Sequence, residues 1–224
     1  DMIAERIDAD KIGSWDMVFD PGTAAKLADC GLVIMDSPSE VMASALNYLG
    51  LDPHSEDKAD LEKASELMLG VRPYIRYFHS SQYINDLANG DICLTIGYSG
   101  DILQARDRAA EAGQGTNIAY TIPREGALIG FDMMAIPDDA PNPENALKFI
   151  DYILEPKVAA DITNYVYFGN PNTAATEFVN EDVANDPGIY PPQDVKVKMF
   201  VSKPHSARYD RTLTRTWTTI KTGK

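Results

Sequence analysis

The stretch from Tyr77 to Asp101, YFHSSQYINDLANGDICLTIGYSGD, constrains the fold more than any other. It opens on His79-Ser80-Ser81, whose hydroxyls suit a helix N-cap. Ile84, Leu87 and Ala88 follow at the i, i+3, i+4 spacing of one helical face. Asn89-Gly90 supplies left-handed residues that stop a helix. The apolar run Ile92 to Ile96 has no polar interruption beyond Thr95, the pattern of a strand covered on both faces in a parallel sheet. At its C-terminal end stand Gly97-Tyr98-Ser99-Gly100-Asp101. Ligands of open α/β sheets bind just beyond the carboxyl ends of the strands, so an aromatic ring and a carboxylate occupy a binding address.

The rest of the chain repeats this alternation. Pro21 suits the first position of a short helix carrying Ala24 to Asp29. Leu32 to Met35 reads as a strand ending at Asp36-Ser37-Pro38. Ser39 is placed to cap the next helix, with Val41, Met42, Ala45, Leu46 and Leu49 as its apolar side and Gly50 as its stop. Asp60 to Leu69 reads as a helix, and residues 102–113 as another, stopped by Gly113 and Gly115. Ile118 to Ile122 reads as a strand, and residues 127–136 as a further apolar strand interrupted by Asp132. Asn142-Pro143-Glu144 predicts a helix to Leu154 as N-cap, N1 and first-turn acid. Pro156 begins one to about Tyr165. Tyr167 to Thr176 reads as a crossover, and the remainder as short helices around an irregular DPGIYPP turn. Strands alternating with helices indicate an α/β architecture.

A length of 224 residues permits one large domain or two small ones. No apolar stretch approaches the ~20 residues that span a bilayer, and residues 1–11 lack the features of a secretory signal. The formal charge of −14, from 34 acidic and 20 basic residues, argues against a nucleic-acid partner. It suits either a plain acidic surface or the steering of a cationic ligand. Cys30 precedes the apolar run of residues 31–35 and Cys93 lies inside Ile92 to Ile96. A disulfide fits if the two strands are neighbours, and two buried thiols fit otherwise.

Several side chains have both a structural and a binding reading. Asp101 follows Gly100 before a helix, so it fits an N-cap or a ligand carboxylate. Tyr98 fits a strand-end core ring or the wall of a slot. Asp132, between Phe131 and Met133, must reach solvent, a donor or a cation, because unpaired burial costs several kcal/mol. Ser39-Glu40 fits a helix cap with an acid in the first turn. His54, His79 and His205 share no metal-ligand spacing, and no hydrolase, P-loop or dinucleotide fingerprint is present. Asp101 and Asp132 form an acid pair of the kind a glycosidase uses, but nothing else in the chain supports sugar chemistry.

Five segments together carry a resemblance. They are SWDMVFDP (14–21), RYFHSSQYINDLANGDIC (76–93), IPREGALIGFD (122–132), DPGIYPP (186–192) and RTLTRTWTTIKTGK (211–224). In this order they resemble the periplasmic polyamine-binding proteins, the putrescine- and spermidine-binding components of ABC importers. The resemblance spans essentially the whole chain. It implies a two-lobed, hinged fold that closes on its ligand and a binding protein without catalysis or cofactor. It also implies a monomer that delivers its ligand to permease subunits. Residues 1–118 and 166–224 would build the second lobe, and 119–165 would complete a first lobe whose main part lies in an N-terminal third absent from this sequence. The resemblance also favours a Cys30–Cys93 disulfide and with it the periplasm.

A polyamine is an apolar rod with an ammonium at each end. Its site needs carboxylates along a slot, and aromatic walls over the methylenes that add cation–π contacts of ~0.5–2 kcal/mol each. By the resemblance, Asp101 and Asp132 are the ammonium-binding acids, and Tyr98, Phe131 and Phe168 line the slot. Four positions depart from the family pattern. Tyr98 stands where a tryptophan is usual, and Ser39 replaces a ligand-contacting glutamate, with Glu40 beside it. Gly130 replaces an aromatic, and Phe168 a tyrosine. These departures leave room for a second reading, a sensor or binding module for a different cationic amine. A hydrolase using Asp101 and Asp132 is the third.

Overall fold

The computed structural model describes residues 2–113 and 115–223. Two short helices, α1 (Asp16–Phe19) and α2 (Pro21–Leu27), precede β1 (Leu32–Ile34). Pro21 takes the N1 position of α2, and the Asp20 carboxylate caps it by accepting from the N–H groups of Gly22 and Thr23. Two helices, α3 (Pro38–Tyr48) and α4 (Lys58–Val71), lead to β2 (Ile75–Phe78). α5 (Gln82–Asn89) then crosses to β3 (Leu94–Ile96). The three strands form a parallel sheet in the order β2-β1-β3, with Leu32 opposite both Ile75 and Leu94.

Burial follows this order. Leu32, Val33 and Ile34 in the central strand are fully buried, as an uninterrupted apolar run in a parallel sheet predicts. β3 is only half-buried along its length, which corrects the expectation of a strand covered on both faces. It is an edge of this sheet, with no strand on its outer side among the described residues. Phe19, Leu27, Met42, Leu46, Met68 and Tyr83 fill the space between the sheet and its helices. The Cα atoms of Cys30 and Cys93, just before β1 and β3, are 5.5 Å apart and a disulfide joins the pair.

The caps differ from those expected at two helices. α3 begins at Pro38 with Ser37 in the cap position, so Ser39 lies inside the first turn. The fixed φ of Pro38 suits N1, and this moves the start one residue back. α5 is capped by neither serine hydroxyl. The Nδ1 atom of His79 accepts from the backbone N–H groups of Ser81 (3.2 Å) and Gln82 (3.0 Å). Gly90, at φ +78°, closes α5 as predicted. The buried face of α5 is Tyr83, Leu87 and Ala88, with Ile84 only half-buried.

After β3 comes α6 (Ser99–Ala112). Residues 118–122 form no strand, because no neighbour among the described residues supplies a ladder of hydrogen bonds there. In place of a strand over 127–136 there is only β4 (Leu128–Ile129). α7 (Pro143–Leu154) and α8 (Pro156–Val166) follow where their Pro residues predict, then the short α9 (Glu181–Ala184) and α10 (Gln193–Lys196). β5 (Phe200–Val201) pairs in parallel with β4. The last helix, α11 (Ala207–Thr222), returns to α3 and α4. Its Tyr209, Leu213, Trp217 and Ile220 join the same core as the three-stranded sheet.

Two of the segments that carry the resemblance meet although they lie far apart in the chain. The Glu125 carboxylate accepts from the Ser14 hydroxyl and from the Trp15 N–H. The Trp15 indole donates to the Gly126 carbonyl at 2.8 Å, and the Asn47 amide donates to the Glu125 carbonyl at 3.1 Å. Arg124 donates to the carbonyls of Asp10 and Ile12. The chain leading into β4 is thereby fastened to the loop before α1. Among the described residues no helix is long and apolar enough to cross a membrane.

Candidate functional site

The carboxyl ends of β1 and β3 lie side by side, and each runs directly into a helix. α3 starts after β1 with Pro38, Ser39 and Glu40 as its first three residues. α6 starts after β3 with Ser99, Gly100 and Asp101. Two carboxylates therefore stand in the first turns of two neighbouring helices, where the backbone N–H groups and the helix dipole favour negative charge.

Asp101 is not the N-cap of α6, because the helix begins two residues earlier and Tyr98 takes the cap position. Its carboxylate turns instead to Tyr83, whose hydroxyl donates to Oδ2 at 2.5 Å. The Tyr83 side chain is fully buried, and its oxygen accepts in turn from the backbone N–H of Tyr98 at 3.4 Å. Burial and the Asp101 carboxylate both hold the Tyr83 phenol above its ordinary range. Among the described residues Oδ1 of Asp101 has no hydrogen-bond partner.

Tyr98 is not a core ring. It is 41% exposed, and its hydroxyl donates to the Glu40 carboxylate at 2.8 and 3.1 Å. Burial and the bond to Glu40 raise this phenol also. Phe168 approaches from the crossover after α8. Tyr167, the one non-glycine described residue with a left-handed backbone (φ +60°), ends that helix. Phe168 then lies against Gly100, where an added Cβ would clash with its ring and stand 2.5 Å from the Val166 carbonyl. The glycine is what lets an aromatic ring sit at the start of α6.

Tyr98, Glu40, Asp101 and Phe168 thus gather at the ends of β1 and β3. Ser39 lies beside Glu40, half-buried, and makes no side-chain hydrogen bond among the described residues. Phe131 and Asp132 are on a separate exposed segment after β4, with Phe131 57% and Met133 88% exposed. No hydrogen bond or ion pair among the described residues joins Asp132 to the cluster.

Two groups escaped sequence reasoning. Tyr83 was hidden because Ile84 satisfied the same helical period. The second is Asp36, at the end of β1, which accepts from the Trp217 indole at 2.6 Å and from the Lys221 ammonium at 2.9 Å. Burial works against its charge, but the indole and the ammonium prevail and hold the carboxyl below its ordinary value. This ties α11 to the strand end that carries the site. Both partners lie far from Asp36 in sequence, and no local signal marks them.

The family model of bacterial extracellular solute-binding proteins matches residues 1–191. The chain is 50% identical over 213 residues to the putrescine-binding periplasmic protein SpuD of Pseudomonas aeruginosa, covering 95% of this chain and 58% of that protein. The putrescine-binding periplasmic protein PotF of Escherichia coli is 50% identical over 214 residues, with the same coverage of 95% and 58%. The chain therefore spans 58% of the length of these relatives. Among solved structures, the spermidine/putrescine ABC transporter substrate-binding protein PotD from Streptococcus pneumoniae superposes with a TM-score of 0.78 at 21% identity, covering 98% of this chain and 64% of that one. That likeness shows the fold, in agreement with the α/β binding-protein architecture expected from sequence. These relatives are solute-binding proteins and not enzymes, which leaves the acid-pair hydrolase reading without support. The chain belongs to the bacterial extracellular solute-binding proteins.

Proposed function

We propose that the full-length protein captures a linear polyamine in the periplasm and hands it to the permease of an ABC importer, with putrescine the favoured ligand and spermidine the second. The observation that carries this reading is Asp101. One of its oxygens accepts from a buried phenol, and the other has no partner among the described residues. The acid stands three residues after Tyr98 and next to Gly100, against which the Phe168 ring lies. A fixed carboxylate next to apolar rings suits an alkylammonium, which needs a charged acceptor at its end and cover for its methylenes. Asp132 pairs the other ammonium and Phe131 adds a wall, both brought to the slot when the lobes close. The putrescine-binding names of the two relatives support the ligand class. The disulfide supports an oxidising compartment.

In the same reading residues 1–118 and 166–224 make one lobe, and 119–165 belong to the other. The shared core of α11 and the three-stranded sheet supports the first assignment. α7, which buries none of its residues, supports the second. The protein works as a monomer. A second reading, a binding or sensor module for another cationic amine, is favoured by one observation. Glu40 is bound to Tyr98 at a place where Ser39 supplies no acid. Calorimetric titration of the full-length protein with putrescine, cadaverine, spermidine, spermine and agmatine separates the two. Tightest binding of putrescine supports the first reading, tightest binding of another amine supports the second, and silence across the panel rejects both.

A further inference from the structure

We infer that Tyr83 is a positioning residue for the ligand, acting through Asp101 without touching the amine. The inference rests on the reading of Asp101 as an ammonium acceptor. Asp101 is half-buried in the first turn of α6. Without a partner its carboxylate would have a choice of rotamers, and holding it for a ligand would cost side-chain entropy at the moment of binding. The Tyr83 hydroxyl removes that freedom by donating to Oδ2 at 2.5 Å.

The phenol is itself fixed on every side. Its ring is fully buried in the core under the end of β3. Gly97 makes the space, since a Cβ there would lie 2.6 Å from the Tyr83 ring and 2.9 Å from Ile102. Its oxygen accepts from the Tyr98 N–H at 3.4 Å, so its one proton is left for Asp101. The result is a relay from backbone N–H to phenol to carboxylate, each bond polarising the next. It also couples the slot's aromatic ring to its acid, because the backbone that carries Tyr98 is the donor at the head of the relay. Oδ1 is left to the ligand.

The test is a double-mutant cycle on the full-length protein, with putrescine as the probe and urea unfolding as a check on the fold. Tyr83→Phe keeps the buried ring and removes the hydroxyl. It should weaken putrescine binding by roughly tenfold, the worth of one hydrogen bond to a charged group. In the Asp101→Asn background the same change should cost almost nothing further, because the relay then has no carboxylate to orient. A general loosening of the fold would instead lower affinity equally in both backgrounds, and such additivity overturns the inference. Unchanged affinity in Tyr83→Phe, with Asp101→Asn impaired, also overturns it and leaves the reading of Asp101 standing. Unchanged affinity in Asp101→Asn overturns that reading, and the inference with it. If Tyr83→Phe unfolds, fluorotyrosine at position 83 gives a second readout. Its fluorine resonance should shift on adding putrescine to the parent protein and stay still in Asp101→Asn. A resonance indifferent to putrescine in the parent contradicts the relay.

Discussion

The hydroxyl of Tyr98 donates to both oxygens of Glu40, at 2.8 and 3.1 Å, and so joins the end of β3 to the first turn of α3. The phenol is raised by its burial and then by the neighbouring carboxylate. Glu40→Gln removes the charge and keeps the size. It should lower the alkaline titration of Tyr98 while leaving it above that of a free phenol, because the burial remains. Ultraviolet titration of Glu40→Gln, with Tyr98→Phe as the reference that identifies the band, measures the shift.

Gly100 is the seat of Phe168. A Cβ at this position would stand 2.5 Å from the Val166 carbonyl and clash with the phenylalanine ring. Gly100→Ala should therefore displace the crossover, cost about 1–3 kcal/mol of folding free energy as overpacking does, and weaken amine binding as the ring leaves the site. Urea unfolding and titration of the same variant measure the two effects. A stability equal to the parent's would contradict the packing described.

The Cys30–Cys93 disulfide spans a sequence separation of 63 and links the starts of adjacent strands. Closing a loop of that length restricts the unfolded chain, and removing such a bridge costs roughly 2–4 kcal/mol. The Cys30→Ala/Cys93→Ala variant should show that loss in urea. Adding a reductant should destabilise the parent and leave the variant unchanged.

Several helices and the central strand were legible from sequence. Pro21, Pro143 and Pro156 mark N1 positions, and Gly90 and Gly113 mark ends, because these residues act through their own backbone. Leu32 to Ile34 reads as a buried strand because every position is apolar. Where the outcome depended on a neighbour, pattern failed. Residues 118–122 have the composition of a strand but none to pair with among the described residues, and β3 has the pattern of a strand covered on both faces but is only half-buried. At the site, Tyr98 and Asp101 are legible because they lie three residues apart at the end of one apolar run. The bonds that orient them come from Tyr83 and Glu40, and only the folded chain brings those groups close.

Stability should fall at both ends of the pH scale. Asp16 is held below its ordinary value by the Lys11 ammonium at 2.6 Å and by the Tyr48 hydroxyl at 2.7 Å. Asp36 is also lowered, by Trp217 and Lys221 against the opposing effect of burial. Stabilisation from such carboxylates is complete above about pH 4 and is lost as the pH falls through their lower folded values. The phenols of Tyr48, Tyr77 and Tyr83 are raised, chiefly by burial. Their contribution is complete below about pH 10 and is lost as the pH rises through their higher folded values. Unfolding free energy measured across this range should show both limbs, and Asp36→Asn should flatten the acid one.

The central claim is that Asp101 receives an ammonium group. Calorimetric titration of the full-length protein and of Asp101→Asn with putrescine tests it most directly. Loss of a hydrogen bond to a charged group predicts binding weaker by about 1.5–3 kcal/mol in the variant, roughly ten- to a hundredfold, with the fold intact. Equal affinity in the two proteins would contradict the account.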